Sequence, residues 1–131
     1  MISCAPVPGG AGPLKLVVAV IRPERLEHVK QALAAAQVFR LTVSDVLGVA
    51  TDDEAGPPTA AAAYAGAAAG PVPVRKVKLE VAVNEPFLEP TVRAIERAAR
   101  TEGGRGDGKV LVLPLEEAVR IRTGERGPEA I

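Results

Sequence analysis

The sequence predicts an α+β fold of the ferredoxin-like type, a βαββαβ sandwich with two helices on one face of a four-stranded sheet. The prediction rests on the order of elements, which is strand, helix, strand, long loop, strand, helix, strand. A chain of 131 residues suits one domain with one core. Because 47% of the residues are hydrophobic and only 2% are aromatic, that core is expected to be aliphatic.

The first strand and the first helix follow one another directly. Leu14–Ile21 is an apolar run interrupted only by Lys15, and its β-branched residues favour a mostly buried strand. Pro23 suits the first turn of the helix that follows. The buried side of that helix is predicted from residues at helical spacing, namely Leu26, Val29, Leu33 and Ala36.

Two further strands flank a long connection. Residues 41–49 alternate imperfectly, with Asp45 breaking the apolar positions, whereas residues 77–83 alternate cleanly and predict the clearest strand of the chain. Residues 50–73 combine an acidic start, a Gly-Pro-Pro break and an Ala- and Gly-rich run around Tyr64. This composition offers few large apolar groups, so a long mobile loop is expected.

The second helix and the fourth strand are predicted in the last third of the chain. Because proline costs stability inside a helix, regular helix is expected from about Pro90 to Arg100, after a turn at Glu85 and Pro86. A glycine-rich loop follows the helix. The remaining predicted elements are a strand at 110–113, a short helical turn at 115–119 and an extended piece at 120–123.

Composition argues against several classes of function. Sixteen basic and sixteen acidic residues give no net charge, which disfavours nucleic-acid binding driven by bulk positive potential. Cys4 and His28 are each the only residue of their type, which argues against a disulfide or a metal site. No uncharged run of eighteen apolar residues occurs, so no membrane insertion is expected. Residues 1–13 lack the features of a secretion signal, and we expect a flexible tail on a cytoplasmic protein.

A glycine-bracketed turn near the C-terminus is one candidate anion site. Gly106 and Gly108 flank Asp107, so backbone N–H groups can turn inward, and Lys109 adds a positive charge immediately afterwards. Such a turn is more often only a tight connection into a strand.

Two arginines follow this turn closely in sequence. Arg120 and Arg122 are two residues apart in a predicted extended segment, so both side chains would point to one side and could hold phosphate oxygens. Pairing of the same arginines with neighbouring glutamates is an equally good interpretation.

Residues 14–131 resemble the PII signal-transduction family. The resemblance lies in five segments: Val20-Ile21-Arg22-Pro23-Glu24-Arg25-Leu26, Leu41-Thr42-Val43-Ser44-Asp45-Val46-Leu47-Gly48, Lys76-Val77-Lys78-Leu79-Glu80, Gly106-Asp107-Gly108-Lys109 and Arg120-Ile121-Arg122-Thr123-Gly124-Glu125. It implies a homotrimer without catalytic turnover that binds ATP or ADP, with AMP as a further candidate, in clefts between subunits. It also implies a mobile T-loop, here residues 50–74, that docks on a target transporter or metabolic enzyme.

The resemblance further implies roles for single residues. Lys109, Arg120 and Arg122 would hold phosphates, while Gly106, Asp107 and Gly108 would line the phosphate and ribose side. The residues expected to surround the adenosine from the adjacent subunit are Ile21, Thr42, Gly48, Glu80 and Ala82. Residues 101–109 correspond to the family's B-loop, and residues 115–131 form its C-terminal segment.

The T-loop is where the sequence departs from the family pattern. Gly48 is followed by Val49-Ala50-Thr51-Asp52 instead of an aromatic residue and Gly-Arg-Gln, so the glutamine that helps to hold Mg²⁺ and 2-oxoglutarate is absent. We therefore do not expect 2-oxoglutarate binding, and Mg²⁺ stays open. Lys76 is the remaining candidate contact for an acidic metabolite or anion. Tyr64 lacks the arginine and glutamates of the family's modified segment, so uridylylation is not expected.

Several functions stay open. The missing glutamine favours family offshoots linked to inorganic carbon, with bicarbonate as a candidate ligand; the alternative is a nitrogen regulator of an ammonium channel. A structural trimer similar to the copper-tolerance CutA family would use Arg120 and Arg122 only to pair with carboxylates. An acylphosphatase on the same fold would need a glycine in the first strand–helix junction, where this chain has Arg22 and Pro23.

Overall fold

Four antiparallel strands and two helices make up the chain in this computed structural model, which describes residues 13–50 and 72–131. The strands are β1 (Leu14–Ile21), β2 (Thr42–Ala50), β3 (Val72–Asn84) and β4 (Gly108–Pro114). The helices are α1 (Leu26–Ala35) and α2 (Glu85–Ala99), and 3₁₀ turns lie at Pro23–Arg25 and Gly127–Ala130. The strand order β2-β3-β1-β4 is that of the predicted ferredoxin-like sandwich, and the fold prediction is confirmed.

The core lies between the two helices and one face of the sheet. The pairs Val17 with Val81 and Ala19 with Leu79 lie directly opposite one another on β1 and β3, and all four side chains are buried. On the helices, Val29, Leu33 and Ile95 close this layer and are fully buried. The core is aliphatic, as the composition predicted.

Neither helix of the described residues packs on the opposite face of the sheet. On β1 its side chains are Leu16, Val18 and Val20, which are only partly buried. Across from them on β4, Leu111 is 46% exposed and Leu113 is 41% exposed. Within residues 13–50 and 72–131, this contiguous apolar face of β1 and β4 is therefore left uncovered.

The long loop is shorter than predicted at both ends. β2 runs through Ala50, and β3 begins at Val72 instead of residue 77, so the outer positions of the predicted segment 50–74 belong to strands. Ladder pairing extends from Thr42 opposite Glu80 to Ala50 opposite Val72. This pairing supplies hydrogen bonds that residue patterning alone does not reveal. Residues 51–71, with Tyr64, and residues 1–12, with Cys4, lie outside the described residues.

Helix α2 begins at Glu85, so the predicted turn at Glu85 and Pro86 was wrong. Pro86 occupies the first turn, where a backbone N–H has no partner within the helix. Pro90 sits one turn later and removes only the bond to the carbonyl of Pro86. The cost of that single lost bond is small beside the burial of Ile95 and Ala99 on the same helix.

Two predictions near the C-terminus are also wrong. Residues 115–119 form no helical turn, and residues 120–123 are not extended. Instead, the N–H of Gly124 donates to the carbonyl of Arg120 at 2.7 Å, and the N–H of Arg120 donates to that of Glu125 at 2.9 Å. The side chain of Glu117 accepts the N–H groups of Ala118 and Gly127, both at 3.1 Å. These local bonds satisfy the backbone in a tight turn.

Thr91 offers a direct test of how the core is packed. It is fully buried on α2, and its hydroxyl has no hydrogen-bond partner among the described residues. Thr91→Val keeps the shape and removes the unsatisfied group, so the free energy of unfolding is expected to stay equal or rise by about 1 kcal/mol. Urea denaturation measures it, and a loss of more than about 1 kcal/mol would show that the hydroxyl is bonded.

Candidate functional site

A cavity of about 410 Å³ lies at the end of the sheet where β4 begins. Its lining includes Gly48 of β2, Lys76 of β3 and the loop before β4. The predicted phosphate-side residues that line it are Gly106, Asp107, Gly108 and Lys109. The structure thus brings together four of the six predicted phosphate-side positions and the candidate anion contact Lys76.

Glycines give this loop its path. Gly104 and Gly106 both have a φ of +74°, in the left-handed region that glycine adopts without strain. Gly108 has a φ of +104°, and a Cβ placed there would lie 1.7 Å from the carbonyl oxygen of Val20. The loop therefore passes against the backbone of β1 at a distance that only glycine allows.

The carboxylate of Asp107 is held by neighbouring groups. It accepts the hydroxyl of Thr101 at 2.6 Å, the N–H of Thr101 at 2.9 Å and the Nε of Arg22 at 3.0 Å. Burial by itself raises the pKa of Asp107, but the two bonds from Thr101 and the charge of Arg22 outweigh it and hold the pKa below its usual value. Asp107 was predicted to line the ligand side. In the structure its carboxylate is instead hydrogen-bonded to Thr101 of the same loop and to Arg22.

Lys76 connects β3 to the same loop. Its ammonium group donates to the carbonyl of Gly106. Burial, and then the charge of Arg22, lower the pKa of Lys76, while Glu24 and Asp107 act in the opposite direction. The side chain of Lys76 thus ties β3 to the backbone of the glycine loop.

Lys109 is an available cation at this end of the sheet. It is exposed, and no hydrogen bond or ion pair links it to another described residue. Its position opposite Val20 on β1 places it on the face of the sheet that lies away from α1 and α2. An ammonium group in this position can reach an anion in the cavity without breaking an existing bond.

The two predicted arginines lie at the other end of the sheet. The C-terminal segment starts where β4 ends, and its backbone joins that end through the N–H of Leu115 and the carbonyl of Leu14 at 3.1 Å. Arg120 contacts Glu125 and the backbone oxygen of Ile131, both at 3.4 Å. Arg122 is exposed and makes no contact of this kind with another described residue. Because the segment is a turn, the alternation of an extended chain, on which the prediction of a shared side for the two arginines rested, is absent from residues 120–123.

The arginines and the glycine loop are far apart within one chain. β4 separates them and spans seven residues, Gly108–Pro114. At the usual rise of a strand this is about 20 Å. A side chain at one end cannot contact a phosphate held at the other, so the two predicted halves do not form one site within a single subunit.

The predicted adenosine residues are also divided. Thr42 and Glu80 lie opposite one another, and Ala82 follows on the same face of β3. Gly48 lies at the far end of β2, in the cavity by the glycine loop. Ile21 is only 1% exposed and sits in the core, so its side chain is not open to a ligand as predicted.

A second cavity, which the sequence did not indicate, lies at the end of the sheet that carries the arginines. Its volume is about 240 Å³. Phe39, Phe87 and Ile131 contribute to its lining together with Ala82. Phe39 is 72% exposed. No sequence signal links these positions, since Phe39 precedes β2, Phe87 belongs to α2 and Ile131 ends the chain.

Arg22 and Thr101 are further residues that the sequence did not assign to the site. Arg22 precedes Asp107 by 85 positions, a separation at which no periodicity or motif indicates contact. Within the described residues, no group of three or more His, Cys, Asp or Glu side chains is placed to hold a metal ion. Nor does any described helix have the length and apolar character needed to cross a bilayer.

Known sequences match almost the whole chain. The family model described as nitrogen regulatory protein P-II matches residues 14–125. The nitrogen regulatory protein GlnK1 of Methanosarcina mazei is 46% identical over 119 residues, covering 90% of this chain and 97% of the relative. GlnK2 of Haloferax mediterranei is 38% identical over 130 residues, covering 99% of this chain and 100% of the relative.

Solved structures agree with these matches. The PII protein of Arabidopsis thaliana bound to citrate has a TM-score of 0.71 and 34% identity, over 92% of this chain and 94% of its own. A GlnK–ATP complex from B. subtilis has a TM-score of 0.71 and 30% identity, over 90% of this chain and 95% of the solved one. The predicted resemblance is confirmed, and the chain belongs to the P-II (PII) family of nitrogen regulatory proteins.

Proposed function

We propose that this chain is a non-enzymatic regulator that binds an adenine nucleotide in clefts between the subunits of a homotrimer. The carrying observation is that β4, whose seven residues span about 20 Å, separates the glycine loop from the arginines of one chain. Since both ends present free cations, a single anionic ligand can meet them only when the loop of one subunit lies against the arginines of another. Lys109 would come from the first subunit, and Arg120 and Arg122 from the second.

The open face of the sheet supports self-association. Leu111 and Leu113 are nearly half exposed beside the partly buried Leu16, Val18 and Val20. Apolar faces of this kind are covered by other subunits in oligomers. A closed ring of identical subunits would place the same pair of ends together at every interface.

The second cavity supports placing the nucleotide base at the arginine end of the sheet. Phe39 and Phe87 present aromatic rings there, beside Ala82, which was predicted on the adenosine side. The bound ATP in the GlnK relative from B. subtilis supports ATP or ADP as the ligand, with AMP as a further candidate. The citrate in the Arabidopsis relative is consistent with an acidic small molecule near Lys76, and Mg²⁺ stays open.

The output would be carried by the T-loop, here the segment between β2 and β3, on a transporter or metabolic enzyme in the cytoplasm. Nucleotide can shift this loop only by contacting its states differently, and Gly48 and Lys76 at the base of the loop line the phosphate cavity. The relatives bear nitrogen-regulatory names, which favours a nitrogen role. Inorganic-carbon sensing and bicarbonate rest only on the missing glutamine after Gly48.

Titration calorimetry with ATP, ADP and AMP tests the proposal, alongside light scattering for subunit number. We expect a trimer with up to three sites, and an affinity that changes with phosphate number because each added phosphate meets further cations. Arg93→Ala, on the exposed surface of α2 and paired with Glu89, serves as a control that keeps binding. A trimer that binds none of the three nucleotides would instead support the structural alternative.

A further inference from the structure

Arg22, Asp107 and Thr101 form a connected cluster beside the phosphate cavity. The side chains of Arg22 and Asp107 are 20% and 18% exposed and meet at 3.0 Å. Arg22 also lies 3.8 Å from Glu24, which is well exposed. A charge pair shielded from solvent to this degree is stronger than one on the open surface.

Asp107 would be a poor phosphate contact, since a carboxylate repels phosphate oxygens. The structure resolves this conflict in two ways. The positive charge of Arg22 compensates the carboxylate, and both carboxylate oxygens are turned toward hydrogen bonds from Thr101 and Arg22. Asp107 therefore acts on the shape of the loop and not on a ligand.

The cluster also fixes the loop that it belongs to. The hydroxyl of Thr101 donates to Asp107 and accepts the N–H of Gly104 at 3.3 Å, so one side chain joins both ends of the turn. Three left-handed glycines would otherwise give this segment many conformations. Ordering it before the ligand arrives lowers the entropy lost on binding.

We propose that Arg22 is a positioning residue that, through Asp107 and Thr101, holds residues 101–108 ready to receive the nucleotide phosphates. The contact crosses from the end of β1 to the start of β4, so it fixes the loop to the sheet. This inference rests on the proposed function. It goes beyond that function by giving Asp107 the role of holding the loop in shape and Arg22 the role of holding Asp107.

Arg22→Met removes the charge and keeps the length of the side chain. We expect ATP affinity to fall at least tenfold, and Arg22→Lys to recover part of the loss because it restores the charge. Arg93→Met is the matched control, because among the described residues Arg93 pairs only with Glu89 on the exposed surface of α2, in the segment before the loop begins. ATP affinity in the control should stay within twofold of the unchanged protein, and equal affinity in Arg22→Met would overturn the inference.

The pH dependence separates positioning from a general loss of stability. The pKa of Asp107 is lowered, so its contacts persist above that pKa and are lost as pH falls through it. Without Arg22 the pKa rises toward that of an ordinary Asp carboxyl, about 4, and the variant should lose ATP relative to the unchanged protein increasingly as the pH is lowered from 6 toward 4. The other charged groups near Asp107 stay the same in both proteins, namely Glu24, Lys76, Glu96, Arg100 and Lys109. A ratio that does not change with pH would contradict the role assigned to Asp107.

Hydrogen exchange of the nucleotide-free protein tests the loop without any ligand. Amides of residues 101–108 should exchange at least tenfold faster in Arg22→Met, while those of α1 stay unchanged. If the unchanged protein binds no ATP, the proposed function fails, and this measurement still decides whether Arg22 orders the loop. Equal exchange in both proteins would show that it does not.

Discussion

Gly108→Ala is expected to prevent stable folding or to lower the free energy of unfolding by more than about 4 kcal/mol, a large part of the stability of a typical domain. The added Cβ would lie 1.7 Å from the carbonyl oxygen of Val20 and 2.8 Å from its carbon, both backbone atoms of β1. The φ of +104° adds strain for any residue with a Cβ. Relief would require β4 to separate from β1, which would break the ladder between them.

Gly103→Ala provides the matched control for that variant. It lies in the same loop, and nothing approaches within 4 Å of a Cβ placed there. Thermal and urea denaturation of the two variants should therefore differ widely, with Gly103→Ala close to the unchanged protein. Equal stability of the two variants would mean that β1 and β4 do not approach as closely as the structure shows.

Mixing two variants that each bind ATP weakly should restore high-affinity nucleotide binding. Lys109→Ala and Arg122→Ala are each expected to weaken ATP binding more than tenfold, since each removes one cation from every site. In trimers assembled at random from equal amounts of both, about a quarter of the interfaces would join an intact Lys109 to an intact Arg122. Calorimetry of the mixture should therefore find high-affinity sites that neither variant shows alone.

The double variant Lys109→Ala/Arg122→Ala mixed with unchanged protein is the control for subunit exchange. Sites between subunits would remain in about a quarter of the interfaces, and sites within one subunit in about half. Failure of the single variants to restore any site, with half of the sites kept in this control, would place both cations in one subunit. That result would contradict the intersubunit cleft.

Residue patterning was sufficient to predict the strands and helices that bury one face. β1 was predicted with the observed bounds, Leu14–Ile21, because its apolar run begins after Pro13 and ends before Arg22 and Pro23. The start of α2 was missed because Pro90 was given too much weight, although a proline near the beginning of a helix removes only one bond. Patterning did not reveal the extension of β3 to Val72, since ladder pairing with β2 stabilises it.

For the candidate site, too, the sequence predicted some features of the glycine loop and the arginines, and tertiary contacts decided others. Their residue types indicated anion binding, and the family resemblance implied an intersubunit site. The turn that carries Arg120 and Arg122 depends on side-chain contacts of Glu117 and Glu125, which no local propensity predicts. The pairing of Arg22 with Asp107 joins two ends of the chain that meet only in the folded sheet.

By itself, then, the sequence determined the fold class, the aliphatic core and the identity of the cationic groups, because periodicity and composition act over a few neighbouring residues. Only the tertiary structure decided where those groups lie. It placed Lys109 and the arginines at opposite ends of β4, set Asp107 to hold its own loop and pressed Gly108 against Val20. These features depend on strand register and on contacts between distant segments, which exist only once the chain has folded.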